Sequence, residues 1–101
     1  MDESTKPKKK PEWVFRLYIL GGAPNSVKAV ETVRAICEEY LKDSYELKLI
    51  DILESPLTAV SDGVVAAPTL LKLYPAPLLR ITGDLSDKKE VVRKLGLEED
   101  P

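Results

Sequence analysis

Few side chains in this 101-residue sequence are equipped for chemistry, and what is missing excludes most reactions. Histidine is absent, so no imidazole base, His-containing triad or His-ligated metal site can form. "GGAPNS" (21–26) stands where an apolar run gives way to an amphipathic one. A helix N-terminus at such a turn can hold an anion or depress the pKa of a cysteine. No cysteine is there. The single cysteine, Cys37, excludes an intramolecular disulfide, a Cys-x-x-Cys redox pair and a Cys-x-x-Cys zinc site. It falls on the apolar stripe of a helical segment and reads as a small buried hydrophobe. A redox-sensing or thiol-transfer role for Cys37 is the competing reading. The segment 21–26 is neither G-x-G-x-x-G nor a P-loop, so a tight turn with a helix cap is expected ahead of phosphate binding. Glu38 and Glu39 belong to an outer helix face and the acids at 98–100 to a tail, which sets no carboxylate pair across a cleft. The expectation is a chain with no catalytic residue, no metal site and no cofactor.

The basic residues are more informative. Lys48 and Lys72 interrupt runs that are otherwise apolar, "YELKLIDIL" and "TLLKLYP". A charge inside a strand must reach an exposed sheet face or edge, or meet a partner. Protection of a sheet edge is the plain reading. A docking surface for an acidic protein, made by Lys28, Lys48, Lys72 and Arg80, is the functional one. Arg16 adds to this basic set without being assigned to the surface.

The elements that must position these residues follow from pattern. "WVFRLYIL" (13–20) is aromatic, β-branched and nearly apolar on both sides, as a strand covered on both faces would be. A helix follows to about Lys42, capped by Asn25 or Ser26, with Val27, Val30, Val33, Cys37 and Tyr40/Leu41 as its apolar stripe. A second strand spans 45–53, and strand–helix–strand of this length implies a right-handed parallel pair. Pro56 opens a short helix that Gly63 stops. Strands at 69–75 and 78–82 form a hairpin. Ser86 caps a last helix, with Asp87 in its first turn, Val91, Val92 and Leu95 facing inward and Gly96 at its end. The order β-α-β-α-β-β-α is the thioredoxin-like arrangement, an α/β single domain. Pro68, before the third strand, stands where that fold carries a cis proline.

The sequence divides into a disordered basic tail (1–11), a domain (12–96) and a short acidic tail (97–101). A net charge of −2 gives no bulk attraction to nucleic acid or to an anionic membrane. No apolar run approaches the roughly 20 residues that cross a bilayer. With one cysteine, the expected location is a reducing cytoplasm.

"LYILGGAPNSVKAVETV", "YELKLIDIL" and "AAPTLLKLYPAPLLRITGDLSD", in this order and spacing, resemble the KaiB family over about residues 14–92. The resemblance implies a non-enzymatic cytoplasmic binding module of the cyanobacterial circadian clock. Such a module docks on the KaiC ATPase, recruits KaiA and displaces the SasA-type histidine kinase. It also implies fold switching between a thioredoxin-like monomer and a usually tetrameric ground state that folds the second half differently. Two packings of one sequence coexist when they differ by a few kcal/mol. Four positions depart from the family pattern: Lys94 and Gly96 replace a glycine and an aspartate, while Gly63 and Leu79 replace basic residues. Lys94 is a good helix former and Gly96 a helix stop, which favours the thioredoxin-like last helix and a monomer. Gly83, in "GDLSD", is expected to break the fourth strand. A KaiB-like variant working outside the clock, with a stress-linked KaiC relative or a sensor histidine kinase, is the alternative role.

Overall fold

The computed structural model describes residues 11–97, so the basic and acidic tails lie outside it except for Pro11 and Leu97. The chain runs β1 (Trp13–Ile19), α1 (Pro24–Ile36), β2 (Tyr45–Asp51), α2 (Pro56–Ser61), β3 (Thr69–Tyr74), β4 (Leu79–Thr82) and α3 (Lys88–Leu95). The strands lie in the order β2-β1-β3-β4. β1 and β2 are parallel, and the other two pairs are antiparallel. This is the thioredoxin-like arrangement read from the sequence.

Alternation along β1 divides the core in two, because successive side chains of a strand point to opposite faces. Phe15 and Leu17 pack on one face with Ala29, Val33 and Ile36 of α1 and Val91, Val92 and Leu95 of α3. Tyr18 points to the other face, where it meets Ile50, Leu71, Ala59 of α2 and Val64 just after it. Helix α2 is only six residues long and buries only Ala59. It covers one end of its face, and Lys48 and Arg80 on that face remain exposed.

Both α2 and α3 end by the same local device. Gly63 and Gly96 adopt φ of 70° and 73°, a conformation that a Cβ disfavours. Gly96 N–H donates to Arg93 O and Leu97 N–H to Val92 O, and Leu97 packs against the core beside α3. Gly63 N–H donates to Val60 O and Val64 N–H to Ala59 O, with Val64 and Ala59 buried in one cluster. These are Schellman motifs with their hydrophobic contact. Leu97 therefore belongs to the folded domain rather than to the tail.

Three local expectations change. Helix α1 starts earlier, at Pro24, whose fixed φ suits the first helical position, and its N-cap Ala23 makes no side-chain cap. Ser26 is buried and accepts a hydrogen bond from Leu20 N–H at 2.9 Å. The buried stripe becomes Ser26, Ala29, Val33, Ile36, Cys37 and Leu41, and Val27 is exposed. Beyond Ile36 the helix opens into a π-helical turn, Cys37–Leu41. At α3 the cap is Asp87, which accepts from Glu90 N–H, while Ser86 is held by Asp84. An aspartate at the N-cap brings negative charge to the first turn as well as an acceptor, so it displaces serine there.

Candidate functional site: a cationic row on the α2 face

Lys72 is the largest correction to the sequence reading. It lies in β3, an interior strand, and is only 5% exposed. Register places it opposite Phe15 of β1 and Leu79 of β4. It therefore shares the face covered by α1 and α3. Its Nζ sits 5.4 Å from the centroid of Trp13, and Trp13 in turn stacks on Phe15 at 6.0 Å. The aliphatic stem fills core volume and the ammonium meets an aromatic face. It protects no sheet edge and presents no surface to a partner.

Lys28 is exposed on α1, again on the side of α1 and α3. It contributes to holding the Asp84 carboxyl below its ordinary value, behind the larger effect of the Ser86 hydroxyl and N–H. Lys48 and Arg80 lie on the opposite face of the sheet. There the register pairs Lys48 with Arg16, Arg16 with Leu71, and Leu71 with Arg80. Lys48, Arg16 and Arg80 thus fall in one row across all four strands. At roughly 4.8 Å per strand step the row spans about 14 Å. Of the four cations first grouped together, two share this row, and Arg16 joins them.

Two members of the row are fixed by the loop that follows α2. The Arg16 guanidinium donates to Asp62 Oδ2 at 2.6 Å, and the Tyr18 hydroxyl donates to the same oxygen. Arg80 donates to the carbonyls of Gly63 and Asp62 at 2.6 and 3.1 Å. Asp62 is held below the usual carboxylate range, first by the Tyr18 hydroxyl and then by Arg16. Burial, followed by the hydrogen bond to Asp62, pushes Tyr18 up to about 12. The hydrogen bond to Asp62 raises Arg16 in its turn. Lys48 is exposed and makes no hydrogen bond or ion pair among the described residues. The row is a set of positioned positive charges with one free member.

Sequence reasoning missed Asp62 and Tyr18. The available signal was that Arg16 and Tyr18, two apart in a strand, must share a face.

Cys37 is buried, and burial pushes its thiol up to about 12, with Glu38 adding to the rise. A buried thiol whose pKa is raised in this way is mostly protonated at neutral pH. The turn at 21–26 holds no thiol, and the Ala67–Pro68 bond is cis. No group of His, Cys, Asp and Glu among the described residues is arranged to hold a metal ion. No helix among them is long and apolar enough to cross a membrane. In an insulin-reduction assay with a dithiol donor, the protein and Cys37→Ser are both expected to run at background. Turnover above background that Cys37→Ser abolishes would return the thiol to the site.

Comparison with known proteins bears on the family and the fold. Residues 16–97 match the family model described as KaiB domain. The chain is 44% identical over 90 residues to the circadian clock oscillator protein KaiB of Nostoc punctiforme, covering 89% of this chain and 86% of that one. It is 46% identical over 85 residues to the protein of the same name from Prochlorococcus marinus strain NATL2A, covering 84% and 79%. Among solved structures, the N-terminal domain of Synechococcus elongatus SasA superposes with a TM-score of 0.68 at 21% identity, covering 96% and 94%. Mitochondrial thioredoxin 3 of Saccharomyces cerevisiae gives 0.67 at 17% identity, covering 88% and 79%, which is a likeness of fold alone. The fold and the match across nearly the whole described chain converge, and the protein belongs to the KaiB family.

Proposed function

We propose that the chain is a non-enzymatic adaptor of the circadian clock that docks, in its thioredoxin-like form, on a KaiC-type ATPase. The observation that carries this reading is the row Lys48–Arg16–Arg80, with two guanidiniums positioned and one ammonium free on a sheet face that α2 leaves partly open. Relatives named as circadian clock oscillator proteins support the clock role in this reading. KaiA and a SasA-like histidine kinase are the further partners. The docking form is a cytoplasmic monomer, with the tetramer confined to the alternative fold of the family.

Exposed charges steer association over a screening distance of about 8–10 Å at ordinary ionic strength. Capture of a KaiC-type ring should therefore weaken with salt. Lys48→Glu is expected to weaken it by roughly tenfold at low salt and by less at high salt. Lys89→Glu, an exposed reversal on α3, should leave it nearly unchanged. Titration of a labelled chain with the ring, followed by fluorescence anisotropy, reads all three. Equal affinities for the wild type and Lys48→Glu would remove the row from the interface.

One observation favours a second reading, an adaptor for a KaiC relative outside the clock. Gly63, where the family resemblance implies a basic side chain, has φ of 70°, and a Cβ there would meet the Arg80 guanidinium at 3.5 Å. The loop next to the row is built around a glycine, so the surface offered beside Arg80 differs from that of a basic-residue relative. Side-by-side capture by a clock KaiC ring and a non-clock relative would separate the two roles.

A further inference from the structure

A groove of about 590 Å³ opens on the opposite side of the sheet from the cationic row, between α1 and the C-terminal ends of β1 and β2. Its apolar floor comes from Ile19, Val27, Val30 and Leu49. Apolar surface continues beyond it. Val27 is 45% exposed and Leu53 70%, and Leu53 Cδ1 lies 3.6 Å from where a Gly21 Cβ would sit. Glycines at 21 and 22 leave this wall without side chains, so a neighbouring chain can approach the backbone closely.

The rim has one sign. Glu31, Asp51 and Glu54 line the groove, and no lysine or arginine does. Asp51 Oδ1 is fixed by the N–H groups of Gly21 and Leu53, at 3.2 and 2.9 Å. Its second oxygen, and the carboxylates of Glu31 and Glu54, have no hydrogen-bond or ion-pair partner among the described residues. Three carboxylates around an apolar floor complement a ligand with a hydrophobic side chain and positive charge on either side of it.

We infer that this groove is a second docking surface, which takes a segment of a partner protein presenting one apolar side chain flanked by lysine or arginine. None of the described lysines or arginines lines it from the same molecule. The cationic row of a second copy fits poorly too, since it is a flat sheet face whose two arginines are already held by Asp62 and Gly63. A concave site with apolar walls takes a protruding segment. The two docking surfaces lie on opposite faces of one sheet, so both can be occupied at once.

The test is amide NMR of the isotopically labelled full chain, titrated with the blocked peptide Gly-Lys-Gly-Leu-Gly-Arg-Gly. Saturable shifts are expected at Gly21, Gly22, Val27, Glu31 and Glu54. They should vanish for the peptide with Glu at both cationic positions and for the one with Ser in place of Leu. In the doubly reversed variant Glu31→Lys/Glu54→Lys, affinity should fall at least roughly tenfold. Both residues are on the rim, and an otherwise unchanged amide spectrum verifies the fold. Absence of groove shifts, equal binding of the anionic peptide, or shifts centred on Lys48 and Arg80 would each overturn the inference. So would groove shifts that grow with protein concentration alone and disappear when residues 1–10 are removed, which would make a second copy the occupant.

Discussion

Lys72→Glu should lower the unfolding free energy by at least about 3 kcal/mol, while Lys72→Met should change it by less than about 1.5 kcal/mol. The ammonium of Lys72 lies over Trp13 in a position only 5% exposed, and its stem packs beside Phe15 and Leu79 in register. A carboxylate there loses its hydration and faces a ring whose π surface is itself negative. Methionine keeps the stem's volume and a favourable contact with the ring, and it removes the cost of burying a charge. Since a domain of this size is stable by about 5–15 kcal/mol, the glutamate variant sits near the edge of folding. Denaturant melts of the three proteins decide the matter. If Lys72→Glu unfolds at the wild-type midpoint, the side chain lies at the surface and the patch of three lysines and one arginine expected from sequence returns.

Asp62→Ala is expected to cost about 2–3 kcal/mol, and Asp62→Asn roughly half as much. One carboxylate joins β1 to the end of α2 through Arg16 and Tyr18, while Arg80 of β4 grips the same loop by its carbonyls. Alanine leaves the buried Tyr18 hydroxyl with only the Thr58 carbonyl, at 3.3 Å, and takes from Arg16 its counter-charge. Arg16 is 36% exposed, so solvent screens part of the pair's Coulomb energy and the figure stays well below that of a fully buried ion pair. Asparagine still accepts from Tyr18 but does not neutralise Arg16. The pH dependence has a defined sign. The Asp62 pKa is depressed in the folded state, so its stabilisation is complete above the unfolded value of about 3.9 and is lost as pH falls through the lower, folded value. Acid melts should therefore show a loss of stability below about pH 4 that is smaller in Asp62→Asn. Wild-type stability for Asp62→Ala would mean that the loop is held by α2 packing alone.

What the sequence disclosed was whatever a few neighbouring residues decide among themselves. Period-two alternation in β1, the stops at Gly63 and Gly96, and the inward set Val91, Val92 and Leu95 depend on local pattern, and so does the order of elements. The start of α1 was misread because two cap-forming residues, Asn25 and Ser26, follow a proline that itself makes a good first residue. Which side of α1 faces inward is set separately, by its packing on the sheet, and it puts Ala29 and Ile36 in the stripe with Val27 outward. The facing of Lys72 was hidden for a different reason. It depends on the register of β3 against β1, which slips between Val14 and Phe15, and on which face the helices cover. Neither is written in the strand itself. The Asp62 latch joins residues 44 and 46 positions apart, a separation at which a single sequence carries no pairing signal. Half of the expected basic surface, Lys48 and Arg80, lies together on one face, and the other half was placed there only by charge.

The most direct test of the account is a hydrogen-exchange footprint of the chain bound to a KaiC-type ATPase ring, compared with the free chain. Exposed amides near Lys48 and Arg80 and in the loop around Asp62 and Gly63 should slow on binding, while those on the outer side of α1 and α3 keep their free rates. Protection confined to α1 and α3, with Lys48 and Arg80 exchanging as in the free protein, would contradict docking through the cationic row.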